Sequence, residues 1–509
     1  MSQSIDRRDL LRYGALGAAG LGLQGILART AMAVAQDSDV PLRRKMIVVF
    51  LRGGNDAANM VVPQTWDAQG SAYLGDTTYS TTCRPTLWLE SDPGATATPT
   101  LDLGNRFASL HPSFAALKTA VQNEHVVFLH RIGMQNRSGS HFTDQQGWET
   151  ANPGVLSFEE GWITRMVPSI TSSSNLLKAA SISSRQQRLF LSNDPNRALP
   201  VVPRITEYFN NNKEYTLQDG LAAPRNQIDD KLIGSATAHG GLGDGLRGHY
   251  QNTGLASMPL SPLVRATGEL TLDSESVISG LGTYMPAMGA TYPTSTAGLT
   301  AAGLPDTFST KVAMRNAQDA IQLIKETDCR VAGFQLGGWD THNKQGTLTG
   351  RQPDLLKVLA HIMNSLYVDL LADDALFEET IVTVISEFGR TSAENGTQGT
   401  DHGDAGAVIV MGGGVQMNRK PGVVVPGKPV YNCDSTTWVN GDMFSSGTNP
   451  PPCAAPFTGR YIAYNTEFRA VYAEIIEQHF GLSPIETNRI LPGWAPTGAD
   501  PRENQIGFL

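Results

Sequence analysis

Four polar stretches of this sequence gather residue types that do metal and acid–base chemistry. In "GGWDTH", Asp340 and His342 are two residues apart. In an extended chain both side chains point to one side, where a carboxylate and an imidazole can hold one metal ion. The competing reading is an aspartate that caps the following turn beside a surface histidine. The stretch "SEFGRTSAENGTQGTDHGDAG", Ser386 to Gly406, holds Glu387, Arg390, Glu394, Asp401, His402 and Asp404. Glu387 follows an apolar run, a place from which a carboxylate reaches a metal. Arg390 has the fork geometry that clamps a tetrahedral oxyanion. His402 lies among glycines that allow close approach of backbone and ligand. Asp401 and Asp404 read as turn-makers and Glu394 as a solvated loop charge. Asp56 in "RGGND" is placed to ligate a metal, although the motif alone also makes a tight turn. Ser138, Ser140 and His141 in "NRSGSHF" precede a predicted helix. A hydroxyl there serves as an N-cap, a nucleophile or part of an anion site. His111, His130 and His361 fall outside these stretches and read as packing or surface residues.

Each stretch needs an element to position it. Apolar runs without alternation predict buried parallel strands at Lys45–Leu51, His125–His130, Leu176–Ile182, Arg330–Leu336, Thr380–Ile385 and Ala407–Met411. Apolar residues at helical spacing predict helices over Ser113–Gln122, Ser309–Glu326, Asp354–Leu371 and Glu467–His479. The segment from Arg330 to Ile385 reads as a βαβ unit, whose strands are parallel and whose C-terminal ends share one edge. The expected fold class is α/β, with a mostly parallel central sheet flanked by helices on both faces. All four polar stretches then begin at the edge where open α/β sheets place their sites.

The first 35 residues read as a cleaved signal peptide. Arg7-Arg8 precedes an apolar, Gly/Ala-rich stretch from Tyr13 to Leu27, and small-residue cleavage sites follow at Ala31-Met32-Ala33 or Ala33-Val34-Ala35. The arginine pair resembles a twin-arginine signal, which makes the twin-arginine translocase a partner during export and the periplasm or exterior the destination. That route carries folded proteins and suits a chain that acquires a metal first. No later stretch is apolar for long enough to span a membrane. Of the four cysteines, Cys433 and Cys453 flank a Pro/Gly-rich loop and are the expected disulfide, while Cys329 is expected buried and free. Net charge is −9 with no basic block, which argues against a nucleic-acid partner. Residues 234–305 are poor in charge and rich in small residues, as in an insertion or irregular region, and 491–509 form a C-terminal tail.

Taken in order, "VVFLRGGNDAANMVVP", "FASLHPSFAAL", "LHRIGMQNRSGSHFTDQQGWE", "FQLGGWDTHNKQ" and "SEFGRTSAENGTQGTDHGDAG" resemble an exported bacterial family, the domain of unknown function 1501. The resemblance runs from about residue 43 to 490. It implies an alkaline-phosphatase-like fold, shared with sulfatases, phosphomutases and phosphodiesterases. It further implies Asp56 as a first-strand metal ligand, and Ser140 as nucleophile with Ser138 as its substitute. Asp340, His342 and His402 are implied as ligands of one metal, and Glu387 as a ligand of another. The chain departs from the superfamily where Phe388 replaces a histidine and where Asp-x-x-x-His becomes Asp-x-His, so that either one histidine ligand is missing or His141 replaces it. These departures argue against a full two-zinc site. They leave one metal, zinc by its histidines, or a calcium or manganese ion with more oxygen ligands. "CRPTLW" at Cys83 shares the Cys-x-Pro of the sulfatase formylglycine motif but has Leu87 where that motif has arginine. The activity implied is hydrolysis of phosphate or sulfate esters, on an anionic small molecule or a polysaccharide. The alternative is a catalytically degenerate member that binds at the cell surface.

Overall fold

The computed structural model describes residues 43–63, 83–89, 100–103, 461–494 and 506–509, and, with short gaps, 108–205 and 277–415, besides a few short strand pairs. The expected signal peptide, Cys433, Cys453 and residues 234–276 lie outside the described residues.

The central sheet is built from β1 (Lys45–Arg52), β2 (Val126–Gly133), β3 (Ala179–Ser181), β4 (Val331–Gly337), β5 (Thr380–Ser386), β6 (Gly406–Gly412), β7 (Val430–Tyr431) and β8 (Thr466–Glu467). Its order is β7-β2-β6-β5-β1-β4-β3, with β8 also paired to β2. Pairing is parallel throughout except around β6, which runs antiparallel to both β5 and β2. The expected βαβ unit is present: β4 and β5 lie on either side of β1, both parallel to it, and α4 (Arg351–Leu371) connects them.

Both faces of the sheet are covered, which is why its strands lack a period of two. Along β1, Ile47, Val49 and Leu51 enter one core and Met46, Val48 and Phe50 the other. The first core is closed by α3 (Phe308–Glu326) and α4, through Ala313, Met314, Ala317 and Ile321 and through Leu356, Leu359 and Met363. The second is closed by α1 (His141–Thr150), α2 (Trp162–Ile170) and α5 (Phe468–Glu474), through Trp148, Trp162, Met166, Phe468 and Tyr472. Each fully buried aliphatic or aromatic side chain of this kind contributes about 1.5–3 kcal/mol. The expected helix over Ser113–Gln122 is a 3-10 turn at Pro112–Leu117 continuing into Lys118–Gln122, because Pro112 opens it and the His111 ring caps the Ser113 N–H. Residues 281–305, expected to be irregular surface, are partly packed: the Tyr292 hydroxyl and the Ala287 N–H both donate to buried Asp369. The end of the chain docks too, since Glu474 accepts the backbone N–H groups of Ile506, Gly507, Phe508 and Leu509.

The antiparallel course of β6 fixes the geometry of the site. A parallel neighbour would send the chain from the end of β5 back across the sheet. Here β6 starts at the same edge at which β5 ends, so residues 387–405 stay on that edge. The pairing continues outward as a hairpin: Gly389 N–H donates to Asp404 O, Thr391 N–H to Asp401 O, and Gly403 N–H to Gly389 O. That places Glu387 and His402 near each other although the loop between them is long.

Cys83 is disulfide-bonded and Cys329 is free and buried. The Cys83 sulfur is therefore not a formylglycine precursor thiol. The expected pairing of Cys433 with Cys453 does not account for the Cys83 bond. No helix among the described residues is long and apolar enough to cross a membrane.

Three histidines are buried neutral. Burial holds His111 at about 4, against a hydrogen bond to Thr347 O. It holds His130 and His479 at about 3, against hydrogen bonds to Ala57 O and Lys45 O. These values lie below the ordinary 6.5, so the unfolded chain takes up protons first. Their contribution is complete above pH 6.5 and is lost as pH falls toward the folded values, at about 1.4 kcal/mol per pH unit for each ring. Buried Glu474 and Asp404 are shifted upward and oppose this trend. Urea unfolding of His479→Gln between pH 7 and 4 is expected to show a shallower acid loss than wild type, by one linked proton. Identical pH slopes would show that His479 is not held neutral by burial.

Candidate metal centre

Three sheet-edge loops and the start of one helix bring the site together. His141 is the first residue of α1, in the loop after β2. Asp340 and His342 follow β4, and His402 precedes β6. His141, Asp340 and His402 each offer one ligand atom, and these atoms lie within 4.8 Å of one another. Asp340 Oδ1 is 3.4 Å from His141 Nε2 and 3.3 Å from His402 Nε2. His342 Nε2 borders the same cluster, 3.0 Å from Asp340 Oδ1 and 3.0 Å from His402 Nε2.

The arrangement fits a cation. Zinc–nitrogen bonds of about 2.0–2.1 Å in a tetrahedron separate neighbouring donors by roughly 3.3–3.4 Å. His141 Nε2 is buried with no hydrogen-bond partner, a cost that a bound ion removes. Every ring is also held from behind. His141 Nδ1 lies 2.8 Å from Glu387 Oε1, His402 Nδ1 lies 2.7 Å from Gly139 O, and His342 Nδ1 lies 3.1 Å from Asp401 Oδ1. An oxygen acceptor at Nδ1 places the proton there and leaves Nε2 as the ligating nitrogen.

The electrostatics agree. Burial disfavours charge on Asp340, but the hydrogen bond and charge of Arg390, helped by His342 and His141, bring it down to about 2. Glu387 is likewise disfavoured by burial, yet hydrogen bonds from His141, Gln145 and Gly53 keep it below its ordinary value. The Glu387 hydrogen bond raises His141 against its burial, while burial lowers His402.

The residues expected from sequence divide into those the structure gathers and those it employs elsewhere. His141, Asp340, His342 and His402 come together. Asp56 does not join them. It is buried, its two oxygens accept a fork from buried Arg84 at 2.7 and 3.0 Å, and Gln345 Nε2 adds a third bond at 2.6 Å. Glu387 stands behind His141: its Oε1 also accepts the Gly53 N–H at 2.8 Å and Gln145 Nε2 at 2.9 Å. Arg390 is fully buried and spends its donors on the carbonyls of Gly53, Gly54, Trp339 and Thr400 and on Asp340 Oδ1. Buried and bonded through all three of its nitrogens, it positions Asp340. Ser138 is tied to Asp144, whereas Ser140 is the N-cap of α1 with no side-chain cap bond.

Several contributors were missed. Asp401, read as a turn-maker, orients His342, and Glu394, read as solvated, accepts the N–H groups of Thr86 and Leu87. Phe388, in a histidine's place, is buried with its ring 4.9 Å from both the His141 and His402 rings, an apolar wall beside the pair. "GGND" has a steric meaning. A Cβ on Gly53 would lie 2.4 Å from Asp340 N and one on Gly54 2.4 Å from the Phe388 ring, so only glycine lets these loops cross. Alternation of polar and glycine residues carried no signal for which oxygen would back which ring.

Glu387→Gln keeps the size of the side chain but removes the carboxylate behind His141. It is expected to weaken metal binding by roughly 10–100-fold with the fold retained. Competition with a chromophoric chelator reads this directly, and unchanged affinity would show that Glu387 does not support His141.

The family model described as "Protein of unknown function (DUF1501)" matches residues 310–426, a segment that contains Asp340, His342, Glu387, Arg390 and His402 but not Asp56 or His141. No curated protein matches the chain. Among solved structures it is similar to "Structure of PH0037 protein from Pyrococcus horikoshii" at 11% identity, covering 74% of this chain and 88% of that one, with a TM-score of 0.21. That likeness is too slight to support an argument about fold or function. The chain is thus similar, over the segment that bears most of the cluster, to a family of proteins of unknown function.

Proposed function

We propose that the protein is an exported metal-dependent hydrolase of phosphate or sulfate esters, in keeping with its resemblance to the alkaline-phosphatase-like superfamily. The observation that supports this reading most is the convergence of His141, Asp340 and His402 within 4.8 Å, with each histidine backed by an oxygen at Nδ1. A donor set led by imidazole suits zinc better than calcium or manganese, which favour oxygen-rich sites. With His141, Asp340 and His402 as ligands, a fourth position is left, which catalytic zinc sites keep for water or substrate and which His342 Nε2 borders here. A divalent ion there supplies Lewis acidity and lowers the pKa of a coordinated water or hydroxyl.

The remaining chemistry belongs to the chain. Ser140 stands at the N-terminus of α1 beside His141, with its side chain not used as a cap. A helix N-terminus favours both an alkoxide and a tetrahedral anion. Ser140 is the proposed nucleophile, with water as the other attacking group. Arg390 contributes by holding Asp340 charged and in place. Phe388 excludes water from one side of the cluster. One observation favours the second reading, a binding protein without turnover: Arg390 is buried, and each of its three nitrogens bonds within the protein.

Metal analysis of the purified protein, with hydrolysis of p-nitrophenyl phosphate and p-nitrophenyl sulfate, separates the two. Stoichiometric metal with chelator-sensitive hydrolysis supports the enzyme. Stoichiometric metal with no turnover supports the binding protein, and the absence of metal sinks the hydrolase.

A further inference from the structure

One side of α1 lines a groove of about 670 Å³, within the range of roughly 300–1,000 Å³ typical of ligand sites. It begins one residue from the cluster, at Phe142, and extends along α1 through Gln145 and Glu149 to Arg52, Gln186, Gln187, Arg188 and Gln335. Its amides are oriented by their partners. Gln145 Nε2 donates to Glu387, Gln186 Nε2 to Phe190 O and Leu199 O, and Gln187 Nε2 to Gly333 O. Since each partner is an oxygen acceptor, the amide nitrogen must face it and the amide oxygen is left over. Gln187 is 3% exposed, and its Oε1 is buried with no hydrogen-bond partner.

Unlike these three, Gln335 uses its oxygen, accepting Arg52 Nε at 3.0 Å. Arg52 also forks onto Glu149 at 2.6 and 3.1 Å, so these two charges compensate each other, and Arg188 adds one further positive charge to the lining. The amide oxygens repel an anion, which brings acceptors of its own, and suit a ligand that brings many hydroxyl donors. Phe142 is 88% exposed on the same wall and offers an aromatic face for the C–H side of a sugar ring. Arg188 supplies donors for hydroxyl and ring oxygens.

We infer that this groove binds a neutral glycan segment and presents an ester carried on that glycan to the metal cluster. The second half of the inference rests on the hydrolase reading, whereas glycan binding does not require a metal.

The test is a glycan microarray probed with the labelled protein, once with zinc and once with EDTA, followed by calorimetry with the best-retained neutral tetrasaccharide. Phe142→Ala and Gln335→Leu are surface substitutions outside the cluster, and their thermal transitions serve as folding controls. Retention of neutral glycans in both buffers is expected, with each substitution weakening affinity roughly tenfold, about 1.4 kcal/mol. The inference is overturned if no neutral glycan is retained, or if both variants bind as tightly as wild type. It is equally overturned if only sulfated or phosphorylated glycans are retained and EDTA releases them, because that pattern belongs to the metal cluster. Glycan binding by a protein that neither holds metal nor hydrolyses esters would leave the groove assignment standing while removing the hydrolase.

Discussion

His402→Ala is expected to release the metal. Its Nε2 lies 3.3 Å from Asp340 Oδ1 and its Nδ1 is held by Gly139 O, so the variant removes a pre-oriented nitrogen, and His342, with its Nε2 3.0 Å away, is the neighbour placed to take its position. The loss should exceed the roughly 10–100-fold cost of removing a supporting residue. Mass spectrometry under native conditions and metal analysis after gel filtration read the stoichiometry. His402 is on the surface-facing end of the hairpin and only partly buried, so the variant should keep its unfolding transition. Asp340→Asn provides an independent check, since it retains Arg390's partner in shape but not in charge. If both variants keep full stoichiometry, the metal lies elsewhere and the centre described above is only a polar network.

Asp56→Ala should act on stability and leave the metal alone. The Asp56–Arg84 pair is buried at both ends, and Arg84 also donates to Asn59 Oδ1, Ser392 O and Thr391 O. Removing the carboxylate strands a guanidinium that water cannot reach, a change that costs about 3–5 kcal/mol. Urea unfolding reads that loss, and metal content is expected to stay unchanged in the folded fraction. The opposite result, metal lost with stability intact, would restore Asp56 as a ligand. A double replacement of Asp56 and Arg84 by apolar residues should recover much of the loss, because the penalty lies in the unpaired charge rather than in the missing bond.

The sequence made the strands legible because both faces of this sheet are buried, leaving β1 and β5 as nearly unbroken apolar runs. Parallel pairing around β1 followed from the helix between β4 and β5. The direction of β6 did not, because an apolar run carries no sign of which way it lies against its neighbour. Among the polar residues, spacing picked out Asp340, His342 and His402 well, since each stands within a few residues of a strand end. His141 was found through the gap left by Phe388. Spacing failed where a charged residue had a buried partner far along the chain. Asp56 resembles a ligand in sequence, and nothing near it announces Arg84, 28 residues away. Arg390 failed for the same reason, since its guanidinium looks available until the loops around it are folded.

That same guanidinium bears on how the protein is loaded. By fastening the backbone of the β1, β4 and β5 loops together, Arg390 sets the positions of the ligands with bonds that no ion has to supply. On the proposed metal reading, folding and metal capture are expected to be separate events, in contrast to small domains that stay unfolded until metal arrives. Stripping the ion should leave a native receptor that reloads in a single bimolecular step. The ion then adds stability only by mass action, in proportion to the logarithm of its free concentration above Kd. Such a protein can mature in one compartment and draw its metal in another.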